Sequence, residues 1–247
     1  MYAILDHLHA LKRTFQLLLN GKFLLYFIPG IVIAILYLWY LNTVSTVNDT
    51  LGVVSYIPWV GSYLEDGKNI LFGWVEGISL FVYQFLIITA LSPFHTLLSE
   101  KTDTNETGKK FNFGWEKVVN DIVRTLGVVI LGGLLYLGVK LVWMLLAWIV
   151  GISFLNPVVS AILIGFFTGF NSYDYCLERY DISVYKSWKY AWKHPLHMII
   201  TGGIFSSLLF IPYIGVVIAP VFLTIVGTIC FLRIRGREVK LPEQTQS

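Results

Sequence analysis

The stretch IPYIGVVIAP, residues 211–220, lies inside an apolar run, residues 197–231, that holds no Asp, Glu, Lys or Arg. One apolar helix crosses the ~30 Å hydrocarbon core with ~20 residues, so this run is too long for one span and, once divided by a turn, too short for two. Each arm reaches only about 20–22 Å at ~1.5 Å per residue. The simplest geometry is a helical hairpin that enters one face of the bilayer, turns inside it around Pro212, Gly215 and Pro220, and leaves by the same face. A pair of short, closely packed full spans with a proline corner is the alternative. Neither proline has an amide hydrogen to give the preceding turn, so a turn at membrane depth requires protein or water over the broken backbone.

The rest of the composition agrees with a membrane setting. Hydrophobic residues make up 56% of the 247 and charged residues 13%, which reads as a single-domain, all-α integral membrane protein. The opening MYAILDHLHALKRTFQLLLNGK scatters charges and histidines and lacks the pattern of a cleavable signal. Only Cys176 and Cys230 are present, without CxxC spacing or a His-rich companion, so neither metal, disulfide nor cofactor chemistry is expected. No feature calls for a nucleic-acid partner.

Charge distribution sets the topology. Of eighteen Lys and Arg, three precede residue 23, five fall in residues 101–124, four in 179–193 and four in 233–240, leaving Lys68 and Lys140. The loop over residues 42–69 carries Asp49, Glu65 and Asp66 against Lys68 alone. By the positive-inside rule the N-terminus is cytoplasmic, this loop is outside, and every later polar segment, including the C-terminus, is cytoplasmic. Residues 23–41 and 70–91 are then full spans, while residues 126–170 and 197–232 each begin and end inside and must be hairpins.

Between these segments the sequence places interfacial pieces. Residues 113–124 put Trp115, Val118 and Ile122 on one helical face. Residues 183–194 set an aromatic stripe of Tyr185, Trp188 and Trp192 beside Lys186, Lys189 and Lys193, with Ser183 as N-cap and Pro195 as stop, which suits a helix on the inner leaflet. Residues 234–247 read as a flexible tail. Glu76, about two turns inside the second span, faces a wet cavity or a cation, is protonated, or snorkels outward. Lys140, in the first arm of the earlier hairpin, is a pathway cation, a snorkelling side chain or the buried partner of Glu76. ISFLNPVVSA at residues 152–161 echoes IPYIGVVIAP, as repeated hairpins with broken helices meeting at a substrate site would.

Three stretches carry a resemblance: SPFHTLLSE at residues 92–100, YDYCLERYDIS at 173–183 with the Lys/Trp helix after it, and IPYIGVVIAP itself. In their order and spacing they resemble the CysZ family of bacterial inner-membrane sulfate permeases, related to the etoposide-induced membrane proteins. The resemblance implies two long transmembrane helices, two pairs of half-penetrating helices, and sulfate uptake for sulfur assimilation and cysteine synthesis. It also implies an inner-membrane protein touching lipid and a small oxyanion, and it leaves homo-oligomer formation open. Half-helix ends would then aim amides at the anion.

One departure stands out. The family has a Gly followed shortly by paired arginines before the first span, whereas this chain reads NGKFLLYFIPG, with Phe23 and Leu24 at the paired positions. Asn20, Gly21 and Lys22 are what remains as a substrate-binding group, and a lone Lys is a point charge without the fork of a guanidinium. The competing expectation is a non-transporting membrane protein that organises lipids or partner proteins. No enzyme is expected, because Ser92, His95 and Glu100 lack an arrangement that activates a nucleophile.

Overall fold

The computed structural model describes residues 2–21, 23–32, 35, 36, 39, 43, 91–109, 115–211 and 214–244. Nearly all of the expected outside loop and of the second span, with Lys22, Glu76 and Pro212, lie outside the described residues. Helix α1, Tyr2–Leu19, precedes a 3-10 turn at Leu24–Phe27 and the start of the first span, and the chain bends by 100° between α1 and Leu24–Val32. Among the described residues the other α-helices are α2, Ser92–Thr107; α3, Trp115–Val150; α4, Asn156–Arg179; α5, Val184–Lys193; α6, Pro195–Leu209; and α7, Gly215–Gln244.

Helix α7 is the axis of the bundle. Val221, Ile225, Val226, Ile229 and Cys230 are all nearly inaccessible, and they pack with Leu17, Phe23, Leu98, Phe170, Tyr173, Leu177 and Met198 as one core. Helix α3 is the opposite case: Leu134, Leu141, Leu145, Trp148 and Ile149 are exposed, the surface of a helix whose solvent is hydrocarbon. Among the described residues, three helical stretches are long and apolar enough to cross a bilayer, Ile122–Val150, Ser153–Arg179 and Val217–Glu238.

Small residues bring α4 and α6 into backbone contact. Gly165 and Gly169, four apart on α4, face Gly202 on α6; a Cβ at Gly169 would sit 1.9 Å from the Met198 carbonyl oxygen, and one at Gly202 equally close to that of Gly165. This is the small-xxx-small packing of membrane helices, where close approach replaces the hydrophobic drive that lipid removes.

The deciding stretch forms the corner between α6 and α7. Helix α6 has 15 residues, about 22 Å at ~1.5 Å per residue, and so is too short to cross alone. Gly215 opens α7, and a Cβ there would meet the Leu208 carbonyl oxygen at 2.1 Å; only a glycine lets the second arm start against the first. Pro220 is buried and its own carbonyl accepts the Thr224 hydroxyl at 2.9 Å. The echoed stretch behaves alike: Asn156, aligned with Gly215, is the first residue of α4.

Four expectations are corrected. Residues 113–124 are not a separate helix, because α3 runs unbroken for 36 residues; nothing at residues 124–126 removes a backbone bond. The earlier hairpin's arms extend beyond residues 126–170, to Trp115 and Arg179, and both are long enough to cross, so short arms distinguish α6 alone. Residues 234–244 continue α7, with Ile234 buried and Arg237 bound to α1, where a flexible tail is expected. Finally, one member of the aromatic stripe of α5 does not face outward: Trp188 is 6% exposed and lies 4.2 Å from Phe170, ring centroid to centroid, whereas Trp192 stays 55% exposed while touching Phe166. Tyr185 remains exposed. Ser183 holds the N-cap position of α5 without a side-chain hydrogen bond.

Candidate functional site: a buried polar track

One face of α2 is polar and buried. Ser92, His95, Thr96, Ser99 and Asp103 recur at helical spacing, and each is at most 4% exposed. Opposite stand Thr224 and Thr228 of α7 and Tyr175, Cys176 and Arg179 of α4. The bonds between them have a direction. Thr224 donates to the Pro220 carbonyl and Thr228 to the Thr224 carbonyl, at 2.9 and 2.7 Å, so each hydroxyl oxygen is left to accept. Nδ1–H of His95 donates to Thr224 Oγ1 at 3.1 Å; Ser99 donates to Thr228 Oγ1 at 2.8 Å and accepts from Nη1 of Arg179 at 2.7 Å.

Below Ser99 the track ends in a charged pair. Nη2 of Arg179 donates to Asp103 at 2.9 Å, with both side chains 0% exposed, and Tyr180 donates to the same carboxylate oxygen at 2.9 Å. Excellent geometry and extra hydrogen bonds are what allow such a pair to survive burial. At the upper end, Ser92 Oγ, His95 Nε2 and Thr96 Oγ1 have no partner among the described residues. The first turn of α2 carries Pro93 and has no side-chain cap. His95 stacks on Tyr175 with ring centroids 5.6 Å apart, and burial pushes its pKa down to about 4, so the imidazole is neutral.

Two further ionic clusters tie the helix ends together. Arg124 of α3 donates to Asp174 at 2.9 Å, to Ser187 at 2.8 Å and to the Ile182 carbonyl at 2.6 Å, joining α3, α4 and α5. Asp6 of α1 accepts from Arg233 at 2.9 Å, from Arg237 at 2.7 Å through Nη1 and again through Nη2, and meets His197 at 3.1 Å. Burial alone would raise the Asp6 pKa, but these three partners outweigh it and hold the carboxyl well below its usual range.

The residues expected to bind substrate are not on this track. Asn20 and Gly21 are exposed and terminate α1, with Gly21 at φ 72° and its amide on the Leu18 carbonyl at 3.0 Å, the left-handed ending that glycine favours. Phe23, at one of the family's arginine positions, is 1% exposed and part of the core, while Leu24 is 60% exposed. Lys140 donates to Tyr136 Oη at 3.2 Å on its own helix; its expected companion Glu76, like Lys22, lies outside the described residues. The track itself escaped the sequence reading, although Ser92, His95, Thr96 and Ser99 were legible as one face of SPFHTLLSE.

A helical bundle with membrane-length apolar helices and a polar track enclosed among them is a helical membrane protein. Residues 10–220 match the family model described as Sulfate transporter CysZ/Etoposide-induced protein 2.4, and the chain belongs to that family. A search of curated proteins finds no match.

Proposed function

We propose that the chain is a membrane permease for a small oxyanion, with sulfate as its principal substrate, serving sulfur assimilation and cysteine synthesis in a bacterial inner membrane, and that it is not an enzyme. The observation that carries this is the family match over residues 10–220. The enclosed hydroxyls of α2 and α7 support it, because an anion as strongly hydrated as sulfate must exchange water for fixed donors along its path. In this account the α6–α7 hairpin re-enters from the cytoplasmic side, as the 15-residue length of α6 suggests, and the track is the line along which the anion moves. Both chain termini are then cytoplasmic.

A second reading, a membrane protein that organises lipids or partners without transport, is favoured by one observation: buried Phe23 stands where the family has an arginine. Uptake of labelled sulfate by proteoliposomes containing only the purified chain separates the two. The permease takes up sulfate above protein-free vesicles, with thiosulfate and selenate competing; no uptake by well-folded protein supports the second reading.

A further inference from the structure

We propose that Ser92, His95 and Thr96 form a buried site for one tetrahedral oxyanion together with one proton, the proton shared between an oxygen of the anion and Nε2 of His95.

Three observations lead there. First, Ser92 Oγ, His95 Nε2 and Thr96 Oγ1 are buried without partners and share one face of the first turns of α2 by their spacing. Second, Thr14, Thr102, Thr224 and Thr228 each donate to the carbonyl four residues back, and Thr96 does not; its hydroxyl is free to serve something else. Third, His95 spends Nδ1–H on Thr224, whose own hydrogen is committed to Pro220. The neutral ring therefore presents a lone pair at Nε2.

Two hydroxyl donors and one acceptor suit a ligand that accepts twice and donates once. An oxyanion bearing one hydrogen does this, and the start of α2, with no side-chain cap, adds the positive end of the helix dipole. Sulfate carries no hydrogen at neutral pH, so it must take a proton from water on binding. Monohydrogen phosphate brings its own. One proton is drawn from solvent per sulfate, forming a single O–H or N–H bond and leaving the anion's S–O bonds intact; none is drawn per monohydrogen phosphate.

Among the described residues, His95 is the group that responds: the 3-10 turn packed on α2 brings Tyr26, beside Glu100, and α3 carries Arg124, held on Asp174. From α4 the facing group is the phenol ring of Tyr175, with Arg179 further along and paired to Asp103. From α7 it is Thr224, on a stretch, residues 215–232, without a charged residue. On α2 itself, Glu100 and Asp103 follow His95 in sequence. Burial is the one influence resolved on the imidazole.

The site rests on the permease reading only for the route by which the anion arrives, so it is tested by binding. The full-length purified chain is titrated calorimetrically with sulfate and with phosphate at about pH 7.5 and about pH 8.5, where linkage to one proton weakens affinity about tenfold per pH unit. Sulfate affinity is expected to fall about tenfold across this interval while phosphate affinity holds. His95→Gln, with a permanent amide donor, should bind sulfate without the pH slope, and its melting temperature checks that it folds. A slope persisting in His95→Gln, or none in the wild type, overturns the proposal, as does sulfate binding that disappears entirely in folded Lys22→Ala. Binding as described without uptake in vesicles would sink the permease and spare the site; uptake with a flat sulfate titration would do the reverse.

Discussion

His7 and Asp6, neighbours on α1, bind the bundle in different ways, and both respond to acid. His7 donates Nδ1–H to the Ala3 carbonyl at 2.6 Å, and its Nε2 accepts from the Thr201 hydroxyl of α6 at 2.7 Å; Thr201 in turn meets Tyr173 of α4 at 3.2 Å. Burial lowers the His7 pKa, so the folded state keeps the ring neutral and the unfolded chain takes up the proton first. Stability from His7 is present above the unfolded pKa of ~6.5 and lost as pH falls below it. Asp6, with its depressed pKa, contributes above the unfolded value of ~3.9 and loses that contribution at lower pH. Melting temperature measured in detergent should therefore decline from pH 7 downward, and His7→Gln should flatten the upper part of the decline; a wild-type plateau to pH 5 would contradict this. Asp6→Ala should cost about 1.5–3 kcal/mol, the range for hydrogen bonds to a charge, because Arg233 and Arg237 are 38% and 35% exposed as side chains and can turn to water. Sequence gave no sign of this cluster: Asp6 and Arg237 are 231 residues apart, and pairing across such a separation depends on how the helices pack.

At the scale of elements, pattern carried far and stopped at contacts. Gly215 marked the hairpin corner, because a missing side chain is a local property; Pro220, expected at the tip, instead lies within α7, and Pro212 is outside the described residues. The continuity of α3 through residues 124–126 and of α7 beyond Arg233 was not legible, since polarity changes along a helix without ending it. The packing of α4 on α6 was visible in principle as Gly165 and Gly169 four residues apart, yet its partner Gly202 emerges only in three dimensions. Two substitutions test this contact. Gly169→Ala drives a methyl to within 1.9 Å of the Met198 carbonyl oxygen and should destabilise by ~1–3 kcal/mol or more, as overpacking does. Gly203→Ala, next to the contact on α6, meets nothing within 4 Å and should be neutral or stabilise by up to ~1 kcal/mol through helix propensity. Thermal melts of the two proteins side by side give the comparison, and equal losses would show that the helices are not in backbone contact.

For the whole molecule, the membrane class and the family were legible from composition and the order of three motifs, whereas the polar track was not, because its members come from α2, α4 and α7. The re-entrant geometry is tested in a background without Cys176 and Cys230. A cysteine at Phe210, 86% exposed at the end of α6, should resist membrane-impermeant maleimide from both sides, while one at Tyr185, 79% exposed on α5, should label from the cytoplasmic side. Outside labelling at residue 210 would show a full crossing. The central claim, that an oxyanion crosses the protein along the track, is tested most directly by initial rates of labelled sulfate uptake into proteoliposomes holding either the wild type or Thr224→Val/Thr228→Val, in which both hydroxyls are exchanged for methyls of nearly the same shape. The wild type is expected to take up sulfate and the folded double variant to do so at least about tenfold more slowly, the loss of roughly one hydrogen bond's net worth at each position. Uptake by the variant at the wild-type rate would contradict it.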